Sequence, residues 1–304
     1  MTPAAGGKVL VVGDVMTDII VKPEGPLNRG SDRRAAIRSR PGGSGANQSV
    51  WLGAMGADVR FVARVGAEDK AGLENYFRGF SVDPMLVADR EHPSGVLVTI
   101  VDPDGERSFL TDRGANLELC ADDLPESLLD GVGLVVVSGY SFFAPGPRAA
   151  VRGLFALARS RGIKIAVDPA SVGFLHEVGV GNFLDWTDGA SILFANDAEA
   201  LALSGYHDSV SQMAMLGQRF ERVVIKRGAL GAVIGTRDGI SLDLPAPRVP
   251  VVDSTGAGDA FAAGFIAAQL RGADETACLK AGIAAGSEAV KVIGGQPVRV
   301  SGGS

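Results

Sequence analysis

Apolar residues recur along this chain with two different periods. Lys8-Val9-Leu10-Val11-Val12 is a short apolar run stopped by Gly13, which predicts a buried strand. Val59 to Gly66 predicts a second strand, and residues 69–80 carry the spacing of an amphipathic helix. Ser94 to Val101 alternates apolar and polar residues, turns at Asp102-Pro103-Asp104-Gly105 and returns through Arg107-Ser108-Phe109-Leu110, a β-hairpin signal. From residue 132 the pattern becomes regular. It predicts strand 134–138, helix 147–161, strands 163–167 and 190–194, helices 197–204 and 209–219, and strand 222–226. Lys226-Arg227-Gly228-Ala229-Leu230-Gly231 then turns into strand 232–234, and helices 258–271 and 274–290 close the series.

Strands alternating with helices predict an α/β fold, with a mostly parallel central sheet flanked by helices on both faces. The lone hairpin reads as a lid or dimer surface. Residues 22–40, polar and rich in arginine (Arg29, Arg33, Arg34, Arg38, Arg40), read as a solvated loop and edge strand. With no internal repeat and no change of composition, one domain over 1–304 is the economical expectation.

Composition narrows the function classes. Of 304 residues, 46% are hydrophobic and 21% charged, which suits a globular chain with a sizeable core. A net charge of −6 argues against a general nucleic-acid surface, so an anionic ligand would need local positive potential. Cys120 and Cys278, far apart and without metal spacing, make a disulfide framework or zinc site unexpected. Residues 1–7 lack a signal-peptide pattern, and no apolar run approaches the ~18 residues of a membrane span. The cytosol is the expected compartment. Glycine is the outlier, at 42 residues or about twice the usual share, and it gathers in short clusters.

The most telling cluster is Asp253-Ser254-Thr255-Gly256-Ala257-Gly258-Asp259. It follows the apolar run Val249 to Val252, read as a strand, and precedes an apolar helix. Strand, glycine turn and helix N-terminus make an anion site. A carboxylate there repels an anion unless it accepts a proton from the group attacking that anion, so Asp259 reads as a general base in phosphoryl transfer. Ordinary capping chemistry is the plain alternative. A second cluster, Arg40-Pro41-Gly42-Gly43-Ser44-Gly45-Ala46-Asn47, also opens a helix, and its exposed amides with Asn47 suit neutral hydroxyls. Asp14 and Asp18 follow the first strand, where open α/β sheets bind ligands; a solvated turn would also explain Asp14. There is no Walker A sequence, no G-x-G-x-x-G after a strand and no H-E-x-x-H. His92, His176 and His207 show no ligand spacing.

Taken together, the two glycine motifs resemble those of the ribokinase/PfkB family of carbohydrate kinases. Asn196-Asp197-Ala198-Glu199 is similar to the family's N-x-x-E motif, and Gly114-Ala115-Asn116 to a segment near the sugar. The resemblance spans nearly the whole chain and implies a ribokinase-like fold whose small β lid comes from about 15–40 and 94–113. It implies ATP and Mg²⁺ as cofactors, a small-molecule sugar or nucleoside as acceptor, and a homodimer through the lid. Asp259 would be the base, with Gly256, Ala257 and Gly258 forming the anion hole. Asp18, Gly42, Gly43 and Asn47 would hold sugar hydroxyls. Asn196 and Glu199 would position Mg²⁺, although Glu199 also reads as a helix N-terminal carboxylate. Lys226, Gly228 and Gly231 would lie along the nucleotide phosphates, although Lys226 also reads as a solvated strand-end lysine. Asp253 and Thr255, with the backbone near Gly294, resemble a monovalent-cation loop, with K⁺ as its ion. Two departures make ribose itself doubtful: Met16 replaces an asparagine of ribokinases, and the Gly139-Tyr140 region replaces a glutamate. Tyr140 could stack on a base, and Arg113 could pair with a sugar-acid carboxylate or with a lid residue. A nucleoside kinase and a non-catalytic sugar sensor stand as the other readings.

Overall fold

A computed structural model describes residues 7–102 and 106–297 of the chain. The first strands are β1 (Lys8–Val12), β2 (Met16–Pro23) and β3 (Ala35–Gly42), followed by helix α1 (Ser44–Ala54). Next come β4 (Val59–Gly66), α2 (Lys70–Arg78), β5 (Val82–Asp89), β6 (Gly95–Val101) and β7 (Arg107–Asp112). Strand β8 (Val132–Ser138), helix α3 (Pro145–Ser160) and strand β9 (Lys164–Asp168) lead to two short helices, α4 (Val172–Val178) and α5 (Val180–Trp186). Strand β10 (Ile192–Asn196) precedes α6 (Asp197–Ser204) and α7 (Ser209–Leu216). Strands β11 (Arg222–Lys226), β12 (Ala232–Thr236) and β13 (Gly239–Leu244) are followed by α8 (Ala257–Leu270) and α9 (Glu275–Ala289).

The strands form two sheets. The larger has nine strands in the order β13-β12-β11-β10-β9-β8-β1-β4-β5, parallel except at the β11–β12 and β12–β13 pairs. The smaller has the order β3-β2-β6-β7, with β2 and β6 parallel and both outer pairs antiparallel. Chain order reverses at β1, because β4 lies on one side of it and β8 on the other. Ligands of open α/β sheets bind at such a switch point, beyond the carboxyl ends of the strands. Gly13, Ser138, Asp168, Asn196 and Lys226 all fall at that edge.

Parallel strands buried on both faces read as continuous apolar runs, yet each run divides between two cores. Val9 and Val11 pack with α1, α2, α8 and α9, whereas Leu10 and Val12 pack with α3 to α7. Helix α8 is apolar on every side and is buried from Ala260 to Leu270. It lies close to α9: a Cβ added to Gly264 would sit 2.6 Å from the Ala281 carbonyl oxygen.

Several expectations need correction. Val249–Val252 is not a strand: Pro247 and Pro250 remove amide donors, and Val251 (69%) and Val252 (52%) are exposed. Strand 190–194 lies at Ile192–Asn196, which places Asn196 on its last residue. Strands β5 and β13 have no counterpart in the sequence reading. Both are sheet edges, and β5 carries Pro84, which masks its alternation. Helices α4 and α5 are short and divided by Gly179 (φ 83°), too brief for a helical period to show. The tip of the predicted hairpin, 103–105, lies outside the described residues.

Gly264→Val should destabilise the protein by roughly 1–3 kcal/mol, because the α8–α9 spacing leaves no room for a side chain. An unchanged urea midpoint would show that the helices separate freely.

Candidate active site

The first glycine motif lies where β3 runs into α1. Gly43 (φ 97°) takes the backbone into the helix, and a Cβ on Gly42 would collide with the Asp18 carboxylate. Asp14 is 5% exposed, and its Oδ1 accepts from the Gly45 amide (3.1 Å). It caps the start of α1, so the solvated-turn reading of Asp14 is set aside. Asp18 lies on the opposite strand, β2. Burial first, and then the charges of Asp14 and Asp253, push its carboxyl up to about 7. Its Oδ1 is buried without a hydrogen-bond partner, as is Asn47 Oδ1. Both residues border one cavity, and both oxygens are left in need of donors.

The second motif opens α8. Gly256 (φ 71°) is the residue before the helix, and its Cα packs so closely on Gly295 that any side chain would clash. Asp259 projects from the first turn toward α1. Its Oδ1 accepts from Ser44 Oγ (2.7 Å) and Gln48 Nε2 (3.2 Å), and its Oδ2 accepts from Asn47 Nδ2 (2.9 Å). Motifs more than two hundred residues apart in sequence thus meet on one carboxylate. Burial, then the Asp168 charge, push Asp259 up to about 7, while the Asn47 and Ser44 donors and Lys226 pull the other way.

At the ends of β9, β10 and β11 lies a group of charged side chains. Lys226 Nζ donates to Asp168 Oδ2 (2.7 Å), and both side chains are about nine-tenths buried. Burial works against the ammonium form, but Asp168 and then Glu199 outweigh it and hold Lys226 above the usual lysine value. Asn196 and Glu199 form a reciprocal capping box on α6. Asn196 Oδ1 accepts from the Glu199 amide (2.9 Å), and Glu199 Oε2 accepts from the Asn196 amide (2.8 Å). Burial first, then Asp168, raise Glu199 to about 7. Asp253 ties two loops together, its Oδ1 accepting from Thr255 N (3.0 Å) and Oγ1 (2.8 Å), and its Oδ2 from Gly294 N (3.0 Å).

Two cavities converge on these groups. One, of about 620 Å³, is bordered by Asp14, Asp18, Gly43, Asn47 and Asp259, with Met16, Leu97, Phe109 and Thr111 from the small sheet. The other, of about 720 Å³, is largely apolar, between Val249, Val251, the α8–α9 side chains Phe261 and Ile283, and Val290 just beyond α9; Gly228 and Gly231 border it too. Asn196, Lys226 and Gly258 border both cavities.

Arg113 and Tyr140 also border the first cavity. The Arg113 guanidinium carbon lies 4.0 Å from the Tyr140 ring centroid and 4.8 Å from that of Phe143. One face of Tyr140 is therefore covered by Arg113, and burial raises its hydroxyl's pKa. Asn116 is occupied by backbone: it bonds Val15 N and O (both 2.9 Å) and Arg113 O (2.8 Å).

Residues 7–300 match the model of the pfkB family carbohydrate kinases. The chain belongs to the PfkB family of carbohydrate kinases. A curated relative of this PfkB-family chain, the bifunctional ribokinase/ribose-5-phosphate isomerase A of Fructilactobacillus sanfranciscensis, is 30% identical over 277 residues, covering 86% of this chain and 48% of the relative. The chain thus spans about half the length of that protein. Among solved structures, the adenosine kinase from Sinorhizobium meliloti superposes with a TM-score of 0.85 at 24% identity, covering 97% of each chain. A putative ribokinase II from E. coli, solved with ATP and Mg²⁺, superposes with a TM-score of 0.84 at 22% identity, covering 95% of this chain and 94% of that one. These superpositions establish the ribokinase-like fold.

Ser44, Gln48 and Asp168 join the site without having been singled out in the sequence. Ser44 and Gln48 are one helical turn apart and flank Asn47, so one face of α1 carries all three. Asp168 ends a strand, the position that draws attention to Asp14 and Asp18.

The Asp259 carboxyl should titrate near pH 7 when followed by ¹³C NMR. Asn47→Ala removes a donor to its charged form and should move that titration upward. A midpoint near 4 in the wild type would contradict the burial argument.

Proposed function

We propose that this chain is an ATP- and Mg²⁺-dependent kinase that transfers the γ-phosphoryl group to a hydroxyl of a sugar or sugar derivative. The observation that carries the reading is the position of Asp259, on the acceptor side of a junction that Gly258 and Lys226 share with the apolar cavity. ATP would place its base in that apolar cavity and its phosphates toward the start of α8. Asp259 takes the proton of the acceptor hydroxyl as its oxygen bonds to the γ-phosphorus; the bond from phosphorus to the bridging oxygen breaks, and ADP leaves. Amides of Gly256 and Gly258 would face the charge that develops on the phosphoryl oxygens, whereas the Ala257 amide, expected to join them, donates to the Ser254 carbonyl (3.3 Å). A base with a pKa near 7 is poised for this task at neutral pH.

No cluster of three or more acidic, His or Cys side chains suited to a metal occurs among the described residues. Mg²⁺ would be held mainly by phosphates and water, with Glu199 as a carboxylate near Asn196. When bound, Mg²⁺ would neutralise phosphate charge. At the Asp253–Thr255 loop we assign K⁺ as the ion, because Asp253 draws that loop against Gly294.

The four-stranded sheet serves, in this reading, as the lid of the acceptor cavity. Its outer face carries Ile37 (64% exposed) and Leu110 (62%), and a second copy of the chain would cover them. Asp18, Gly42, Gly43 and Asn47 are assigned to acceptor hydroxyls. Met16 in place of a polar partner disfavours ribose. The apolar side chains of Met16, Leu97 and Phe109 favour a second reading, in which the acceptor is a nucleoside whose base lies against them.

An ADP-release screen over pentoses, hexoses, sugar acids and nucleosides tests the assignment. Activity should be confined to one class, and K⁺ should raise the rate above that in a tetramethylammonium buffer. Activity with nucleosides alone would select the second reading, and no ADP release with any acceptor would overturn both. Sedimentation should give a dimer; a monomer at micromolar concentration would remove the lid contact.

A further inference from the structure

Asp168 has no part in the assignments above, yet it is the residue to which the site's buried lysine is tied. It ends β9, is 6% exposed, and borders the acceptor cavity. Its Oδ1 accepts from the Ala170 amide (3.1 Å), and its Oδ2 accepts from Lys226 Nζ (2.7 Å). The Ala170 backbone bond fixes the carboxylate plane. Ala170 itself sits at φ 76°, a left-handed conformation that a non-glycine residue adopts only under constraint.

The lysine end of the pair is placed equally specifically. A Cβ added to Gly258 would lie 3.1 Å from Lys226 Nζ, so the ammonium rests against the first turn of α8. That position is unfavourable for a lone lysine, because a helix N-terminus carries partial positive charge. Its flexible four-carbon stem would let the ammonium swing into either cavity. A carboxylate on the far side, held by its own backbone bond, counters both effects. It uses one of the three ammonium donors of a lysine that borders both cavities.

We infer that Asp168 is a positioning residue that acts through Lys226, anchoring its ammonium where a migrating phosphoryl group would pass between the two cavities. The inference rests on the kinase reading for its catalytic consequence, but the anchoring itself does not. Asp168 makes no contact with the reactants in this account; it determines where the lysine's positive charge stands.

Asp168→Asn keeps the shape and the acceptor for the Ala170 amide, and removes the charge that restrains the lysine. Turnover should fall by about 10²-fold, the cost of misplacing a group by about an ångström, with the KM for ATP changed far less. In a Lys226→Met background the same substitution should cost almost nothing more, since the two residues act as one unit. Asp168→Glu should recover part of the loss. A full additional loss in the Lys226→Met background would overturn the inference, as would a shifted Mg²⁺ titration in Asp168→Asn, which would make Asp168 a metal ligand instead.

A second readout needs no acceptor. The rate at which acetic anhydride modifies Lys226, followed by mass spectrometry, should rise several-fold in Asp168→Asn. Unchanged labelling would overturn the anchoring. If labelling rises while the wild type phosphorylates nothing, the kinase assignment has failed and the anchoring stands.

Discussion

A carboxylate held between two helix starts organises this site. Asp259 leaves the first turn of α8 and is met by Ser44, Asn47 and Gln48 on the first turns of α1. Removing a carboxylate from water is costly unless donors replace the solvent. Here three side-chain donors do so only in part: burial first, and then the like charge on Asp168, still hold the carboxyl up at about 7. The same contacts that bring the two glycine motifs together therefore also tune the group between them. The clamp is backed from behind: Gly256 packs on Gly295, whose carbonyl accepts from Trp51 Nε1 (2.9 Å) on α1. Arg40 of the small sheet reaches the same loop and donates to the Ile293 carbonyl.

Charge is divided between the two cavities. The cavity beneath the small sheet gathers Asp14, Asp18, Asp168 and Asp259, a setting hostile to a polyanion. The opposite side is apolar and borders the helix N-terminus. Lys226 stands at their boundary. In the proposed reaction such a partition would let a charged donor and an uncharged acceptor approach one point from different directions. The raised carboxyls also burden the apo protein. Asp18, Glu199 and Asp259 have folded pKa values of about 7, above the ordinary carboxylate value near 4. Their contribution to stability therefore declines as pH rises from about 4 to about 7 and is fully lost above that.

Much of this was legible in the residues. The apolar runs at 8–12, 134–138 and 222–226 find their places in the central sheet, because a strand buried on both faces has few other readings. The two glycine motifs stood out because glycine turns before apolar helices are rare in such density. What stayed hidden depends on long-range pairing. Edge strands β5 and β13 have half-polar faces that resemble loops, and Val249–Val252 resembles a strand until its prolines and exposure are taken into account. Asp168 lacked any flanking motif, and its bonded partner Lys226 lies fifty-eight residues away. Asn47, proposed to bind a substrate hydroxyl, also grips Asp259 through its amide nitrogen and leaves only its buried oxygen unpartnered.

The central claim is that Asp259 removes the acceptor's proton while leaving nucleotide binding to other groups. Single-turnover phosphoryl transfer by Asp259→Asn, with ATP affinity measured on the same preparation, tests it most directly. The account predicts a rate lower by about 10²–10⁴-fold with ATP binding nearly unchanged. A rate close to that of the wild type would contradict it.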